Sequence, residues 1–355
     1  MEAFIYILIV AILCCFLPYK RQKTASFFLL LFMMIMCGMR GYDVGIDTQG
    51  YVDNVVYLDD SDLRHGPIFM GLKYIANLFL NVGTAYLMMI AVLTYIPLLF
   101  IIENKSPAPA ISVLMFIIAT AIFFNESFNI IRQEMAIVYV LWGAVMLDEG
   151  KKVKALFLAL LSVLIHPYTI IFILFFFLYR IELTKKKAFG LLALSVIIGM
   201  GAGSLSLIHD FLNLVSVFTS DSSVALVTRF SKYADGDIDA NFSLVGQVVH
   251  IFPLTALCVL GANNKKILNN TFYKMMFWGC LLLNMVVSVT YCERISSTYT
   301  IAQLIAVPFM IKEFKDNSKV ILYIVLFLTS VLYIYNFNQF IVNQQVWVPY
   351  HTFFN

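Results

Sequence analysis

Apolar residues come along this chain in long blocks separated by short polar stretches, without the alternation typical of strands. A run of about 20 apolar residues is the length that an α-helix needs to cross a bilayer. Backbone polar groups find no water in lipid, so such blocks must be helical. The pattern predicts about ten full spans, over 3–17, 24–39, 84–102, 109–124, 134–147, 188–208, 243–262, 272–291, 299–311 and 320–336.

Two further blocks, 67–80 and 155–179, do not fit simple spans. The chain must cross an odd number of times between the polar loop 40–66 and the inner stretch 103–109, so 67–80 is predicted to be a short helix. Block 155–179 has lysines on both flanks and is interrupted by His166-Pro167. Proline lacks a backbone donor and disfavours helix at the preceding residue. We therefore expect a re-entrant hairpin of two half-helices with His166 near its tip.

Composition supports an all-α polytopic membrane protein. Of the 355 residues, 61% are hydrophobic and 13% are charged, against about 25% charged in soluble domains. We predict a single integral membrane domain over 1–355. The net charge of +3 lies in short clusters between apolar blocks, which argues against a nucleic-acid partner.

Clusters of lysine and arginine predict the orientation, because they mark cytoplasmic loops. The clusters lie at 20–23, 151–154, 180–187, 265–266 and 312–319. The loops 40–66 and 209–242 are then extracytoplasmic. The terminal aromatic residues Trp347, Tyr350, Phe353 and Phe354 are expected to form an interfacial belt.

The first outer loop concentrates groups that suit an anion and sugar site. Arg40 can donate in a fork that matches phosphate oxygens. Asp43, Asp47 and Tyr51 can bind hydroxyl groups. An ordinary polar loop, in which Arg40 merely ends a helix, explains these residues equally well.

Two other places carry candidate chemistry near the membrane. Arg132 and Gln133 stand at the outer mouth of a predicted helix, where Arg132 either faces a cavity or snorkels to the interface. His166 lies at membrane depth, where an ionisable group is a functional candidate by default. The alternative is a neutral histidine bonded to a backbone carbonyl.

Later outer segments add weaker candidates. Glu293 and Arg294 precede Tyr299, and they either bind substrate or simply pair at the surface. In loop 209–242, Arg229 and Tyr233 lie one helical turn apart and could present one face to a glycan. A solvated acidic surface is the alternative for that loop.

Cofactor signals are missing from the sequence. It has no glycine-rich phosphate loop, zinc spacing or nucleophile elbow, and its six cysteines lack ligand spacing. Paired carboxylates suited to a divalent metal are weak. We expect a metal-independent reaction without a cofactor.

Four short elements together resemble the EpsG-like branch of the Wzy-type bacterial polysaccharide polymerases. They are Arg40 followed by Val44-Gly45-Ile46-Asp47-Thr48 and Tyr51, then Ile131-Arg132-Gln133-Glu134-Met135-Ala136, then Ile165-His166-Pro167, and finally Arg294 with Tyr299. The chain departs from the family pattern at Ile46, where threonine is usual, and at Pro167, which replaces a small polar residue.

The resemblance implies a membrane glycosyltransferase that acts on undecaprenyl-pyrophosphate-linked oligosaccharides as donor and acceptor. It places the enzyme in the bacterial inner membrane, with its site facing away from the cytoplasm. O-antigen, capsule and exopolysaccharide are the possible products, and a chain-length regulator protein is a candidate partner. His166 or Asp47 would be the general base, while Arg40, Arg132 and Arg294 would hold the pyrophosphate.

Two rival functions fit the hydrophobicity. A flippase or exporter of the same lipid-linked glycan would explain arginines within the membrane region, although such transporters often show two related halves. A membrane O-acetyltransferase would also have a histidine in a span. It would need a cytoplasmic acyl-donor site, whereas the polar residues here are concentrated outside.

Overall fold

The computed structural model describes residues 2–57, 66–118, 127–200, 244–287, 293–336 and 350–353. Every regular element within these ranges is a helix, which confirms the all-helical prediction. The helices are α1 (Glu2–Cys15), α2 (Tyr19–Gly38), α3 (Thr48–Val56), α4 (Gly66–Ala76), α5 (Val82–Lys105), α6 (Pro109–Ile118), α7 (Ile131–Asp148), α8 (Lys152–Ile165), a 3-10 helix (Pro167–Ile171), α9 (Phe172–Leu178), α10 (Lys185–Met200), α11 (Leu244–Gly261), α12 (Lys265–Leu268), α13 (Thr271–Val286), α14 (Glu293–Thr300), α15 (Gln303–Glu313) and α16 (Asp316–Asn336).

The helices group into two compact units. The first unit comprises Met1–Leu178 and Ile301–Asn355, and the second comprises Tyr179–Thr300. In the described ranges, α5 and the Asp316–Tyr335 part of α16 are the helices long and apolar enough to cross a membrane by length and composition. The count of about ten spans stays a prediction.

The first unit has a lysine end and a loop end. At the lysine end Lys23 lies 3.7 Å from Glu103, and Glu149 contacts both Lys105 and Lys151. A hydrogen bond from Lys105, and to a lesser extent one from Lys151, lowers the pKa of the Glu149 carboxyl to about 2. The carboxyl is therefore charged at neutral pH. These contacts join the start of α2, the ends of α5 and α7, and the start of α8. Three stretches that were predicted from the sequence to be cytoplasmic therefore lie at one end of this unit: 20–23, 103–109 and 151–154.

The loop end is the opposite end of the same helices. Here the segment that follows α2, the start of α5 and the start of α7 come together. Tyr42 Oη donates to Asn81 Oδ1 at 2.6 Å, and Asn81 in turn caps α5 by accepting from Thr84 N. The 24-residue α5 spans roughly 36 Å, enough for the hydrocarbon core of a bilayer.

Several helices carry apolar side chains on their outward surface. On α8, Val153, Phe157, Leu160 and Leu164 are exposed, whereas Ala155, Ala159 and Ile165 on the other face are buried. The outer face of α16 is likewise apolar, with Phe327 67% exposed. Contiguous apolar surface of this kind is rare in water. It is what a helix in contact with lipid presents.

Helix α4 is short, in agreement with the sequence prediction for 67–80. Its 11 residues extend roughly 16 Å, about half of the hydrocarbon thickness. Asn77 Nδ2, just beyond α4, donates to Val55 O at 3.2 Å, which brings the end of α4 beside the end of α3. Phe69 and Ala76 of α4 belong to a buried cluster with Tyr86 and Ile90 of α5. Helix α4 thus packs beside the loop-end part of α5.

The predicted break at His166-Pro167 is present. Helix α8 ends at Ile165, and His166 is extended, with φ −149° and ψ 118°. A 3-10 turn and α9 follow. Gly143 of α7 lies against both the Phe172 ring of α9 and Ala155 O of α8, so the chain reverses after His166. The two half-helices form a hairpin against α7, as the sequence predicts.

Buried polar contacts join the helices of the second unit. Asn284 of α13 donates to Ser195 Oγ of α10 at 3.1 Å and accepts from Thr255 Oγ1 of α11 at 3.1 Å. Gly199 permits close approach, because a Cβ there would overlap Asn284 O. Small residues and interhelical hydrogen bonds are the usual means by which helices associate in lipid.

Candidate functional site

Arg40 lies just beyond α2 at the loop end and is 1% exposed. Its Nε donates to Thr48 Oγ1 at 3.1 Å, and its Nη1 donates to Cys37 O and to Ser127 O at 3.3 Å. Its Nη2 donates to Phe128 O at 3.2 Å. The guanidinium also lies 5.4 Å from the centre of the Phe128 ring. We call Arg40, Thr48, Ser127 and Phe128 the anchor cluster.

The loop between Arg40 and Thr48 packs against segment 127–129, which contributes Ser127 and Phe128 to the anchor cluster. Gly45 has φ +99°, and a Cβ there would lie 2.4 Å from Phe128 O. A side chain at this position is thus excluded by both conformation and space. Ile46 N donates to Asn129 Oδ1 at 2.8 Å. Thr48 Oγ1 donates to Val44 O at 2.7 Å and also lies 3.2 Å from Phe128 O.

Ser127 is held from a second direction. Tyr95 Oη of α5 donates to Ser127 Oγ at 3.0 Å, and Cys37 Sγ lies 3.3 Å from the same Tyr95 hydroxyl. A small cavity beside these groups is lined by Arg40, Glu134 and Tyr95, among others. It has room for about one water molecule. Glu134 is 1% exposed, so it places a carboxylate in the same buried region as the Arg40 guanidinium.

Arg132 is the second residue of α7 and is half-buried. Its guanidinium lies 6.0 Å from the centre of the Phe69 ring, within the range of a cation–π contact. The Phe69 ring meets the Tyr86 ring edge to face at 6.5 Å. Tyr51 packs against the buried cluster that contains Phe69 and Tyr86. Two predicted site residues, Arg132 and Tyr51, thus lie near the same aromatic pair.

His166 lies at the same end of α7 as Arg132. The preceding residue, Ile165, belongs to one buried cluster with Ile131 and Met135, which lie on either side of Arg132 near the start of α7. The His166 ring is half-buried and packs edge to face against Tyr168 at 4.9 Å. The fold therefore brings the hairpin tip to the end of α7 that carries Arg132.

The carboxylates of the first loop have different surroundings. Asp47 is exposed at the start of α3, where a ligand can reach it. Asp43 is also exposed but lies 2.7 Å from His351 Nε2. Gln133 is 1% exposed, which places it among the helices and away from solvent. Roles of these three residues in catalysis or substrate binding stay predictions.

A C-terminal strap, residues 350–353, covers the anchor cluster. Thr352 forms a bridge with Arg40, Gly41 N donates to His351 O at 2.9 Å, and Phe353 N donates to Met39 O at 3.2 Å. Tyr350 packs against Phe4 and Phe128, with ring centres 6.1 and 6.5 Å away. The interfacial belt expected for the terminal aromatics is therefore not the setting of Tyr350, because its ring fills a space between helices. Trp347 and Phe354 lie outside the described residues.

The remaining predicted residues belong to the second unit. Tyr299 of α14 is 1% exposed, and Arg294 is half-buried. Ser297 Oγ donates to Arg294 O at 2.7 Å within the same helix. Glu293 begins α14. Arg229, Tyr233 and loop 209–242 lie outside the described residues.

Sequence reasoning missed the strap and the buried partners of Arg40. No local pattern links His351 to Asp43, since about 300 residues separate them. The nearest signal for the buried partners was Gly45, a residue type that often marks a strained turn or a close approach of backbone. In the described part of the chain, no group of three or more His, Cys, Asp or Glu side chains is arranged to hold a metal ion.

These features define an all-helical protein with lipid-facing apolar surfaces and a polar cluster at one end of its first unit. A model of the EpsG family matches residues 23–352, nearly the whole chain. The chain belongs to the EpsG family, which is a family of the Wzy-type polysaccharide polymerase kind. Family membership indicates a membrane protein of polysaccharide biosynthesis with polymerase-type, glycosyltransferase-like activity. No curated protein and no solved structure gives a significant match to the chain.

Proposed function

We propose that the protein transfers a growing glycan from undecaprenyl pyrophosphate onto a lipid-linked repeat unit. The observation that carries this proposal is the placement of Arg132 and His166 at one end of α7, in a chain of the EpsG family. Lysines lie at the opposite end of the same helix bundle. By the positive-inside rule, Arg132 and His166 then face away from the cytoplasm.

The proposed reaction is a glycosyl transfer. A hydroxyl oxygen of the acceptor repeat unit attacks the anomeric carbon of the donor glycan. The bond from that carbon to the pyrophosphate oxygen breaks, and undecaprenyl pyrophosphate leaves with the electron pair. The hydroxyl proton passes to a general base. The product is a glycan longer by one repeat unit on the acceptor lipid.

Arg132 is the best-placed cation for the leaving pyrophosphate. It is half-buried at the start of α7, where the N-terminal end of the helix dipole also favours negative charge. A guanidinium matches phosphate oxygens in a bidentate fork. Arg294 is the second proposed cation. Arg40 is enclosed and donates to four oxygens of the chain itself, so contact between Arg40 and phosphate has less support.

His166 is the proposed general base, with exposed Asp47 as the other candidate. Proton removal by a placed base contributes typically about 10²–10⁴-fold to a rate. His166 suits this role because it lies at a break in a helix, where a substrate hydroxyl can approach irregular backbone. The proposed sugar contacts are Asp43, Tyr51, Gln133, Arg229, Tyr233, Glu293 and Tyr299.

Fixed arginines can perform the charge stabilisation that a divalent metal provides in many pyrophosphate-releasing enzymes. We therefore propose a metal-independent reaction. The setting is the bacterial inner membrane, and the lipid tails of donor and acceptor lie among the helices. The product is an O-antigen, capsule or exopolysaccharide chain, and a chain-length regulator is a proposed protein partner.

The experiment is reconstitution of the purified protein with a lipid-linked repeat unit in proteoliposomes. A polymerase produces a ladder of longer lipid-linked glycans. An exporter moves the repeat unit across the bilayer and leaves its length unchanged. Arg21→Ala, at an exposed position near the lysine end, is the control variant for comparison with Arg132→Ala.

A further inference from the structure

Arg40 is better placed to organise the site than to bind substrate. Its guanidinium has five N–H donors, and the chain supplies oxygens to its Nε, its Nη1 and its Nη2. The side chain is 1% exposed, Thr48 and Phe128 are fully buried, and the C-terminal strap lies over it. A pyrophosphate could reach this guanidinium only if those contacts were broken.

The contacts of Arg40 join two distant parts of the chain. One is the loop that follows α2, residues 41–48, and the other is the segment 127–129, which leads directly into α7. Ser127 O, Phe128 O and Asn129 Oδ1 all accept hydrogen bonds from the first loop or from Arg40. Tyr95 adds a hydrogen bond to Ser127 Oγ. The segment is thereby fixed at three consecutive residues.

Arg132 follows that segment by only three residues, in the first turn of α7. The N-cap residue of α7 is Ile130, which has no polar side chain to cap the helix. Hydrogen bonds to segment 127–129 therefore help to set where α7 begins. A displacement of that segment is transmitted along the backbone to Arg132. Misplacement of a binding group by about 1 Å can cost roughly 100-fold in rate.

We propose that Arg40, Gly45 and Thr48 are positioning residues that hold segment 127–129 and thereby set the placement of Arg132. They act through Arg132 and do not contact the pyrophosphate. This inference rests on the proposed function, because it takes Arg132 as the pyrophosphate-binding residue. It gives a physical reason for the first-loop pattern: Arg40 and Thr48 hold the segment, and Gly45 leaves room for the Phe128 carbonyl.

Gly45→Ala is the sharpest test variant. It forces a Cβ to within 2.4 Å of Phe128 O, whereas ordinary contact begins at 3.4 Å, so segment 127–129 must move by about an ångström. Thr48→Val removes the hydroxyl and keeps the shape. Gly50→Ala is the matched control, because Gly50 lies in α3 with open space around its Cβ position.

The measurement is binding of labelled undecaprenyl pyrophosphate to each purified variant in detergent, beside its melting temperature. We expect Arg132→Ala to weaken binding at least tenfold, and Gly45→Ala and Thr48→Val to weaken it by roughly three- to tenfold. In an Arg132→Ala background, Gly45→Ala and Thr48→Val should weaken binding no further. Gly50→Ala should bind like the unaltered protein. If the first loop acts through Arg132, the effects of the loop variants and of Arg132→Ala on binding are non-additive. A general loss of stability does not produce this result.

The contrary results are distinct. If Gly45→Ala and Thr48→Val melt earlier but bind normally while Arg132→Ala loses binding, the first loop supports folding alone and this inference is wrong. If their effects add fully to that of Arg132→Ala, the first loop contacts the ligand directly and the inference is wrong. If Arg132→Ala binds as tightly as the unaltered protein, the role proposed for Arg132 fails, and the inference fails with it.

Discussion

The Nη2 of Arg40 donates to the carbonyl of Phe128, which lies 88 residues further along the chain, at 3.2 Å. This hydrogen bond joins the loop after α2 to the start of α7. Both segments carry elements of the sequence pattern that resembles the EpsG family. The bond therefore ties the first family element to the segment that leads directly into the second, which begins at Ile131.

Substitution of Arg132 should abolish most polymerisation without loss of protein from the membrane. Lysine keeps the charge but lacks the bidentate fork, so both Arg132→Lys and Arg132→Ala should lower the rate by about 10²-fold or more. The measurement is polymer length on gels beside the amount of protein in membranes. Arg21→Ala should behave like the unaltered protein. Full-length polymer from well-expressed Arg132→Ala would remove this residue from the site.

His166 should be required for chemistry and not for folding. The His166 ring is half-buried at a break between two half-helices, so its removal should leave the packed faces of the hairpin in place. We expect His166→Ala and His166→Gln to lose most activity at normal protein levels, because neither side chain accepts a proton. Leu164→Ala, at an exposed position near the end of α8, is the control. Activity retained in His166→Gln would show that a hydrogen bond suffices and that Asp47 or another group is the base.

The loop end of the first unit should face away from the cytoplasm. We expect Gln49→Cys and Asp235→Cys to react with an impermeant thiol reagent in intact cells, in a background without the six native cysteines. Gln49 is exposed next to the first loop, and Lys152→Cys, at the exposed lysine end, should react only after the cells are opened. Labelling of position 152 alone in intact cells would reverse the proposed orientation.

Polymerisation should persist in excess chelator. The proposed site stabilises the departing pyrophosphate with arginines, so removal of free divalent cations should leave the rate within about twofold. The assay compares the glycan ladder with and without EDTA after dialysis of protein and substrate against chelating resin. Loss of the ladder in EDTA, with recovery on addition of Mg²⁺ or Mn²⁺, would contradict the metal-independent proposal.

The sequence alone was enough to predict the end of α8, the hairpin that follows it and the short α4. Proline geometry alone predicts that α8 ends before Pro167, and the hairpin follows from the lysines on both flanks. The short α4 follows from the requirement that the chain cross the membrane an odd number of times. These predictions need no knowledge of which helices pack together.

The surroundings of the candidate residues could not be predicted in the same way. Arg40 has the same sequence context whether it binds a ligand or the carbonyls of Ser127 and Phe128, because these partners are distant in the chain. The packing of Tyr350 between Phe4 and Phe128 also depends on tertiary structure. An aromatic residue near the chain end equally suits an interfacial belt.

In the proposed reaction, each new glycosidic bond releases one undecaprenyl pyrophosphate. The most direct measurement is the amount of undecaprenyl pyrophosphate released by purified protein, set against the number of new linkages in the glycan. We predict one undecaprenyl pyrophosphate released for each linkage formed, with both products lost together in Arg132→Ala. Formation of linkages without release of undecaprenyl pyrophosphate would contradict this stoichiometry. Translocation of the repeat unit, with no new linkage and no released undecaprenyl pyrophosphate, would contradict the polymerase function itself.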